Sequence, residues 1–445
     1  MSASSSPPPA PSRARLRSPA VAAAVCLLSF TAFWVAQRLA HVNMLDVMVY
    51  RAEAETLRAG GDLYAMRATS ANLAMTYPPF AAVLFLPLTL VGVPLMRTLT
   101  TAGNLLLVVA LVQLSLRLIR PALARPEARA ELWRTTLWIA AVVVWCEPVW
   151  TTLRYGQINL LVAVAVLWDL TRREGSRWAG LGIGLATAVK LTPGLFVVLL
   201  FAAGLLLWRR DRDRALNQWL RTGLTATGVF LVTTLTMAVA LPADSKRFWT
   251  GTLFETGRVG HAEETANQSL SGVLARLLHT DAPGLWWLAA AVLLGGAAMV
   301  LAVRAAVRGD RAVAVVVTAF AALMISPISW SHHWVWCVPL LILLYDRATR
   351  AWLVTGAVAL AFASFALWWV PHDPGRPELD QNAGQMLLSA VYPLTALAVF
   401  AGYALSLRRT RGLDPVETVP RPREETREPQ GREPQGREPQ AVANE

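Results

Sequence analysis

The chain has 445 residues, 55% of them hydrophobic and only 16% charged, whereas a soluble domain carries roughly a quarter charged residues. Its net charge of +12 does not indicate nucleic acid, because the arginines gather in short loops between apolar runs, the pattern that orients helices in a membrane. Continuous apolar runs from Ala20 to Leu407 exclude a soluble globular enzyme and also a membrane β-barrel, which would show short alternating segments. The fold class is therefore an all-α polytopic membrane protein.

Residues 1–18 are rich in Ser, Pro and Arg and are expected to form a disordered cytoplasmic N-terminus. "PAVAAAVCLLSFTAFWVA" follows Arg13, Arg15 and Arg17 as a signal peptide would. It is as long as a full span and lacks a small-residue cleavage site, so it reads as a retained first helix over about 20–38. A long outer loop, 39–94, follows. It opens on "MLDVMVY", where Asp46 is the one charge in an apolar run. A carboxylate in such a setting needs a purpose, although an ordinary acid in a wet interfacial loop is the plainer alternative. "RAEAETLRAGGDLY" (51–64) has the pattern of an amphipathic surface helix stopping at Gly60–Gly61. "TYPPFAAVLFLPLTLVGVP" (76–94) is apolar enough to cross, but crossing would turn six later basic loops outward. Pro78, Pro79, Pro87 and Pro94 favour a re-entrant or interfacial segment.

Further spans are expected at about 95–117, 134–150, 157–170, 178–190, 194–208, 219–241, 284–306, 311–326, 333–346, 351–370 and 386–407, which makes twelve crossings. The basic stretches 117–134, 171–177, 209–214, 308–311, 346–350 and 408–411 then face the cytoplasm together with both termini. Spans such as 157–170 and 333–346 are short for about 30 Å of hydrocarbon, so broken helices are expected among them. "GLGIGLA" (180–186) places small residues at helical spacing and reads as close helix packing. Cys26, Cys146 and Cys337 have no metal-like spacing and read as buried helix residues. The tail repeats "REPQG" and is expected to be disordered. The chain thus divides into 1–18, a catalytic membrane domain over 19–408, and a cytoplasmic tail over 409–445.

This threading leaves the unusual polar residues on one face: Asp46, "TYPPF" (76–80), "RYGQIN" (154–159), "KLTP" (190–193), "ETANQS" (264–269) and "SWSHH" (329–333). Polar groups at membrane depth are costly unless they line a hydrated cavity, so a catalytic or binding cleft is expected there. Asp46, at a helix–loop junction, suits a general base that takes a proton from a sugar hydroxyl. Lys190 in "AVKLTPG" suits neutralisation of a phosphate, against the alternative of a lysine snorkelling to the interface. Arg154 is a second phosphate candidate, since guanidinium fits phosphate bidentately. In "SPISWSHHWVW" (326–336) one of His332 and His333 could donate to a phosphate or sugar oxygen, and Trp330 flanks them; a tryptophan-rich interfacial belt is the alternative. Neighbouring side chains diverge, so no metal is expected at the histidine pair. Tyr77, Gln157, Asn159, Asn267, Gln268 and Trp330 are candidate sugar or acceptor contacts; for the four amides the alternative is polar contacts between helices. No phosphate-cradling glycine loop is present, so no soluble cofactor is expected and an activated donor would arrive through the membrane.

Taken in order, the acid in the first outer loop, "GGDLY", "TYPPFAAVLFLPL", "RYGQINLL", "AVKLTPGLF", "NQSLSGVLAR" and "SPISWSHHWVW" resemble glycosyltransferase family 87. These are polyprenyl-phosphate-mannose-dependent α-(1→2)-mannosyltransferases of the GT-C superfamily. The resemblance runs from about Asp46 to Pro339. It implies a GT-C-type helical bundle at the cell membrane, acting on the extracytoplasmic face. It further implies a polyprenyl-phosphate mannose donor, a glycolipid or glycan acceptor, metal-independent inversion, and Asp46 as the base. The family's pattern often has an acid before the paired histidines; here Ser331 stands there. A lipid or sugar transporter or flippase is the alternative from another class, and a transferase of another polyprenyl-phosphate sugar is the alternative within it.

Overall fold

The computed structural model describes residues 18–210, 216–347, 352–372 and 375–411. The disorder expected before residue 18 and in most of the tail lies outside the described residues, as do parts of the basic loops 209–214 and 346–350. Among the described residues there is no strand, only isolated bridges pairing Ala68 with Leu73 and Asn267 with Trp330. The chain divides into a unit Met1–Ala404, which holds the cavity, and a short unit Leu405–Glu445.

Helix α1 (Pro19–Leu39) starts with proline at its first turn, where the missing N–H costs nothing. Helix α2 (Leu45–Arg58) is amphipathic and buries Val47, Val49, Tyr50, Glu53 and Ala54. It extends further back than the pattern at 51–64 indicated, so Asp46 falls in its first turn. The apolar stretch 76–94 becomes a short helix α3 (Pro79–Phe85), a 3-10 turn (Leu86–Thr89) and the start of α4 (Val93–Ile119). At 1.5 Å per residue, Pro79–Thr89 rises about 16 Å, roughly half a hydrocarbon core. Pro79 opens α3 at a first-turn position, and Pro87, which has no N–H to continue the helical ladder, stands at the start of the 3-10 turn that follows.

Next come α5 (Arg129–Val143) and α6 (Glu147–Tyr155), bent by 80° where Pro148 enters the turn. Then follow α7 (Asn159–Leu170), α8 (Leu181–Val189), α9 (Gly194–Arg210), α10 (Gln218–Ala240) and α11 (Pro242–Thr250). The remainder is α12 (Leu270–Leu277), α13 (Gly284–Val307), α14 (Arg311–Ile325), α15 (Cys337–Arg347), α16 (Trp352–Ala363), α17 (Ala383–Ser389) and α18 (Val391–Arg411). Among the described residues five helices are long and apolar enough to cross a membrane: α1, α4, α10, α13 and Val391–Arg408 of α18. The bent α5–α6 pair makes a sixth if it acts as one span. These coincide with expected spans, while the remaining expected spans are shorter helices.

The core centres on α14, whose residues Ala312 to Met324 are all buried. A helix apolar on every side belongs inside, and Asp310 caps it by accepting from the Val313 N–H. By contrast, α1, α10 and α13 turn Leu27, Leu28, Val232, Leu235, Val292 and Leu293 outward. So broad an apolar surface needs lipid rather than water. The "GLGIGLA" stretch packs as closely as its composition indicated. A Cβ on Gly182 would sit 2.4 Å from the Ala165 carbonyl oxygen, and one on Gly184 2.6 Å from that of Ala226.

Candidate active site

The C-terminus of α6 meets the start of α2 at Gly156. This glycine has φ +71°, and a Cβ there would lie 2.9 Å from Cβ of Val47. Only glycine admits both the left-handed turn and the contact, and the approach brings Gln157 to Asp46. The Oε1 of Gln157 accepts from Tyr50 OH at 2.6 Å and Tyr77 OH at 3.4 Å. With its oxygen so occupied, its amide N–H₂ is the end left to donate to the Asp46 carboxylate. Burial pushes Asp46 up to about 6 against the opposing pull of Gln157 and of the Lys190 charge.

Facing α2 is the break after α8, where Lys190 leaves the helix in extended geometry (φ −148°, ψ 124°). Its Nζ donates to Asn159 Oδ1 at 3.0 Å and to His333 Nε2 at 3.1 Å, and lies 5.5 Å from the Tyr77 ring centroid. An ammonium has three donors, so one remains for a ligand. The histidine backbone is fixed from α6 and α7: Thr152 Oγ1 (2.6 Å) and Asn159 Nδ2 (2.9 Å) both donate to the His332 carbonyl. The His332 and His333 rings stand at 88° to each other, so they do not converge on one ion. His333 Nε2 is spent on Lys190, whereas the buried His332 Nε2 has no partner within the protein.

These groups line a single cavity of about 560 Å³, within the size range of small-molecule sites. Asp46, Tyr77, Gln157, Lys190, Trp330, His332 and His333 all reach it. Asn159 stands behind them and holds Lys190 and the His332 carbonyl in place. The structure separates three sequence candidates from this group. Arg154 is exposed on α6 and lies outside the cavity lining. Asn267 is buried and fully committed: its Nδ2 donates to Ala262 and Pro327 carbonyls, and its Oδ1 accepts from the Ser269 and Ser329 N–H groups. Gln268 likewise donates to the Thr265 and Ser389 carbonyls and accepts from the Tyr392 N–H. Both brace the loop between α11 and α12 rather than face the cavity.

Sequence reasoning passed over two acids. Glu147 is fully buried and collects four donors: Thr151 (2.8 Å), Ser331 (2.8 Å), Trp368 (3.1 Å) and Tyr392 (2.7 Å). The Ser331 hydroxyl is thereby tied to a carboxylate of α6, which anchors the histidine segment. Glu53 lines the cavity on α2, seven residues beyond Asp46. Each lay in view as an acid in an apolar setting, Glu147 in "VVVWCEPVW" and Glu53 at two-turn spacing from Asp46. Among the described residues no three His, Cys, Asp or Glu side chains gather in a way that could hold a metal.

A family model described as glycosyltransferase family 87 matches residues 75–327. The chain is 33% identical over 389 residues to a polyprenol-phosphate-mannose-dependent α-(1-2)-phosphatidylinositol pentamannoside mannosyltransferase of Mycobacterium tuberculosis (strain CDC 1551 / Oshkosh), covering 83% of each. It is 33% identical to a polyprenol-phosphate-mannose-dependent α-(1-2)-phosphatidylinositol mannoside mannosyltransferase of Mycobacterium tuberculosis (strain ATCC 25618 / H37Rv), over 84% of this chain and 89% of the relative. A pentamannoside mannosyltransferase of Mycolicibacterium smegmatis is 31% identical, over 90% of this chain and 95% of the relative. No solved structure matches.

Proposed function

The chain belongs to glycosyltransferase family 87, and on that premise we propose that it is a membrane mannosyltransferase taking mannose from a polyprenyl-phosphate donor. The acceptor is a glycolipid, with phosphatidylinositol mannosides as the class named for its relatives. The observation that carries this reading is the convergence of a carboxylate with a raised pKa and a buried ammonium on one cavity. Asp46 accepts the proton of the attacking hydroxyl as that oxygen bonds to the anomeric carbon. The bond from that carbon to the phosphate oxygen breaks, and its electron pair leaves with the lipid phosphate. Lys190, with the free Nε2 of His332, meets the charge that grows on the phosphate. Single displacement inverts the anomeric centre and needs no metal from the protein, since Lys190 supplies the positive charge.

We place the cavity on the extracytoplasmic face, in a GT-C-type bundle of about twelve membrane segments with cytoplasmic termini. This follows from the basic loops and from the lipid donor's need to present its head group at a membrane surface. The test is transfer by purified protein from polyprenyl-phosphate [14C]mannose to phosphatidylinositol mannosides, with product anomery read by NMR. Absence of transfer with intact, folded protein would reject the reading. Sidedness is read by labelling single cysteines placed at positions 46 and 331; labelling from opposite sides would break the shared cavity.

A further inference from the structure

Three other buried acids among the described residues keep at least one partner, although Asp169 Oδ1 and Glu263 Oε2 also lack one. Glu147 has four donors, Glu263 pairs with Arg376, and Asp169 Oδ2 accepts from the Ile183 N–H at 2.7 Å. Glu53 differs. It is 1% exposed, it lines the cavity, and its Oε2 has no hydrogen-bond partner. A buried polar atom left without a partner is costly, so an acid kept in this condition points to something that enters the cavity.

Position identifies the chemistry. Seven residues at 1.5 Å place Glu53 about 10 Å along α2 from Asp46 and on the same face. Of the two cations lining the cavity, Lys190 is near enough to act on Asp46 but not on Glu53, and Arg258 is turned to the Tyr64 and Met75 carbonyls and to Glu255. Glu53 is thus at the end of the cavity away from the ammonium, the wrong place for a phosphate. Burial and the neighbouring Asp46 push its carboxyl well above the usual range, which favours the form with one O–H to donate and lone pairs to accept. A sugar hydroxyl offers the same two functions. Two turns of helix is also roughly the reach of a glycosidic unit beyond the reacting hydroxyl.

Resting on the transferase reading, we infer that Glu53 binds a hydroxyl of the acceptor glycan, which makes it a specificity-determining residue for the acceptor and not for the lipid-phosphate donor. The experiment compares wild type, Glu53→Gln and Glu53→Ala in the same membranes. The donor is polyprenyl-phosphate [14C]mannose, and the acceptors are a synthetic alkyl mannoside and a panel of its analogues each lacking one hydroxyl. Wild-type transfer to the parent acceptor is the control: its absence defeats the transferase reading itself. Given that transfer, Glu53→Ala is expected to raise the acceptor KM about tenfold, the loss of one hydrogen bond, with donor KM unchanged. It is also expected to abolish the discrimination that wild type shows against one deoxy analogue. Glu53→Gln, which keeps a donor and an acceptor, restores both. An unchanged acceptor KM in Glu53→Ala, or an unchanged deoxy profile, overturns the inference. So does equal loss for donor and acceptor in both variants, since that is what general disorder of α2 would give.

Discussion

Replacing Asp46 by Asn separates catalytic from structural demands at one position. The substitution keeps shape and one acceptor oxygen but removes the base. General bases contribute on the order of 10² to 10⁴ in rate, so kcat is expected to fall by that factor with acceptor KM little changed. The same change should stabilise the fold. Asp46 is raised from its ordinary 3.8 to about 6, so between these values the folded state holds more protons than the unfolded one. Stability therefore declines as pH rises through that window, by at most about 3 kcal/mol at 1.36 kcal/mol per pH unit, less whatever water in the cavity screens. Asp46→Asn removes that cost at neutral pH and should raise Tm by a few degrees while activity collapses. The wild-type kcat/KM profile should show an acidic limb with an apparent pKa near 6, about tenfold below its plateau at pH 5. The assay is initial-rate transfer of radiolabelled mannose across pH 4.5–8, beside thermal unfolding in detergent. Transfer by Asp46→Asn within tenfold of wild type, or a flat profile between pH 5 and 7, refutes the reasoning.

Gln157→Leu removes a donor that holds Asp46 down, so the acidic limb should move to higher pH; a limb that stays put or moves lower contradicts the geometry around Oε1. Lys190→Met leaves the departing phosphate uncompensated and should lower kcat by about 10², measured in single-turnover transfer; an unchanged rate removes Lys190 from the mechanism. Gly156→Ala places a Cβ against Val47 in a left-handed turn, at a cost of about 1–3 kcal/mol, read as a lower Tm and a rate deficit from displaced Gln157. Transfer should persist in EDTA, and rates that recover only on adding a divalent ion would show that the positive charge is not the protein's own.

The sequence made the helical class, the long apolar spans and Asp46 legible for one reason: charge is rare in this chain, so each exception is informative. Lys190 and the histidine pair were visible on the same ground, and the structure brings them to one cavity. What failed was direction. Arg154, Asn267 and Gln268 looked like site residues by composition. Yet the turn at Gly156 decides that Gln157, and not Arg154, meets Asp46, and the fold spends both loop amides on backbone carbonyls. Span counting is matched only in part: among the described residues five helices, or six with the bent α5–α6 pair, are long and apolar enough to cross a membrane. Hydropathy cannot tell a helix that crosses lipid from one, like α14, that is apolar because protein surrounds it.

The two missed carboxylates show how one residue type divides labour by its partners. Glu147, with four donors, is spent: its bonds to Ser331, Trp368 and Tyr392 join α6 to three distant segments and set where His332 stands. Asp46 is half spent, held by one amide and drawn on by one ammonium, which leaves it ionisable near neutral pH and free to take a proton. Glu53 is unspent. Glu147→Gln should accordingly act through the histidine segment, slowing transfer without moving the acidic limb that belongs to Asp46.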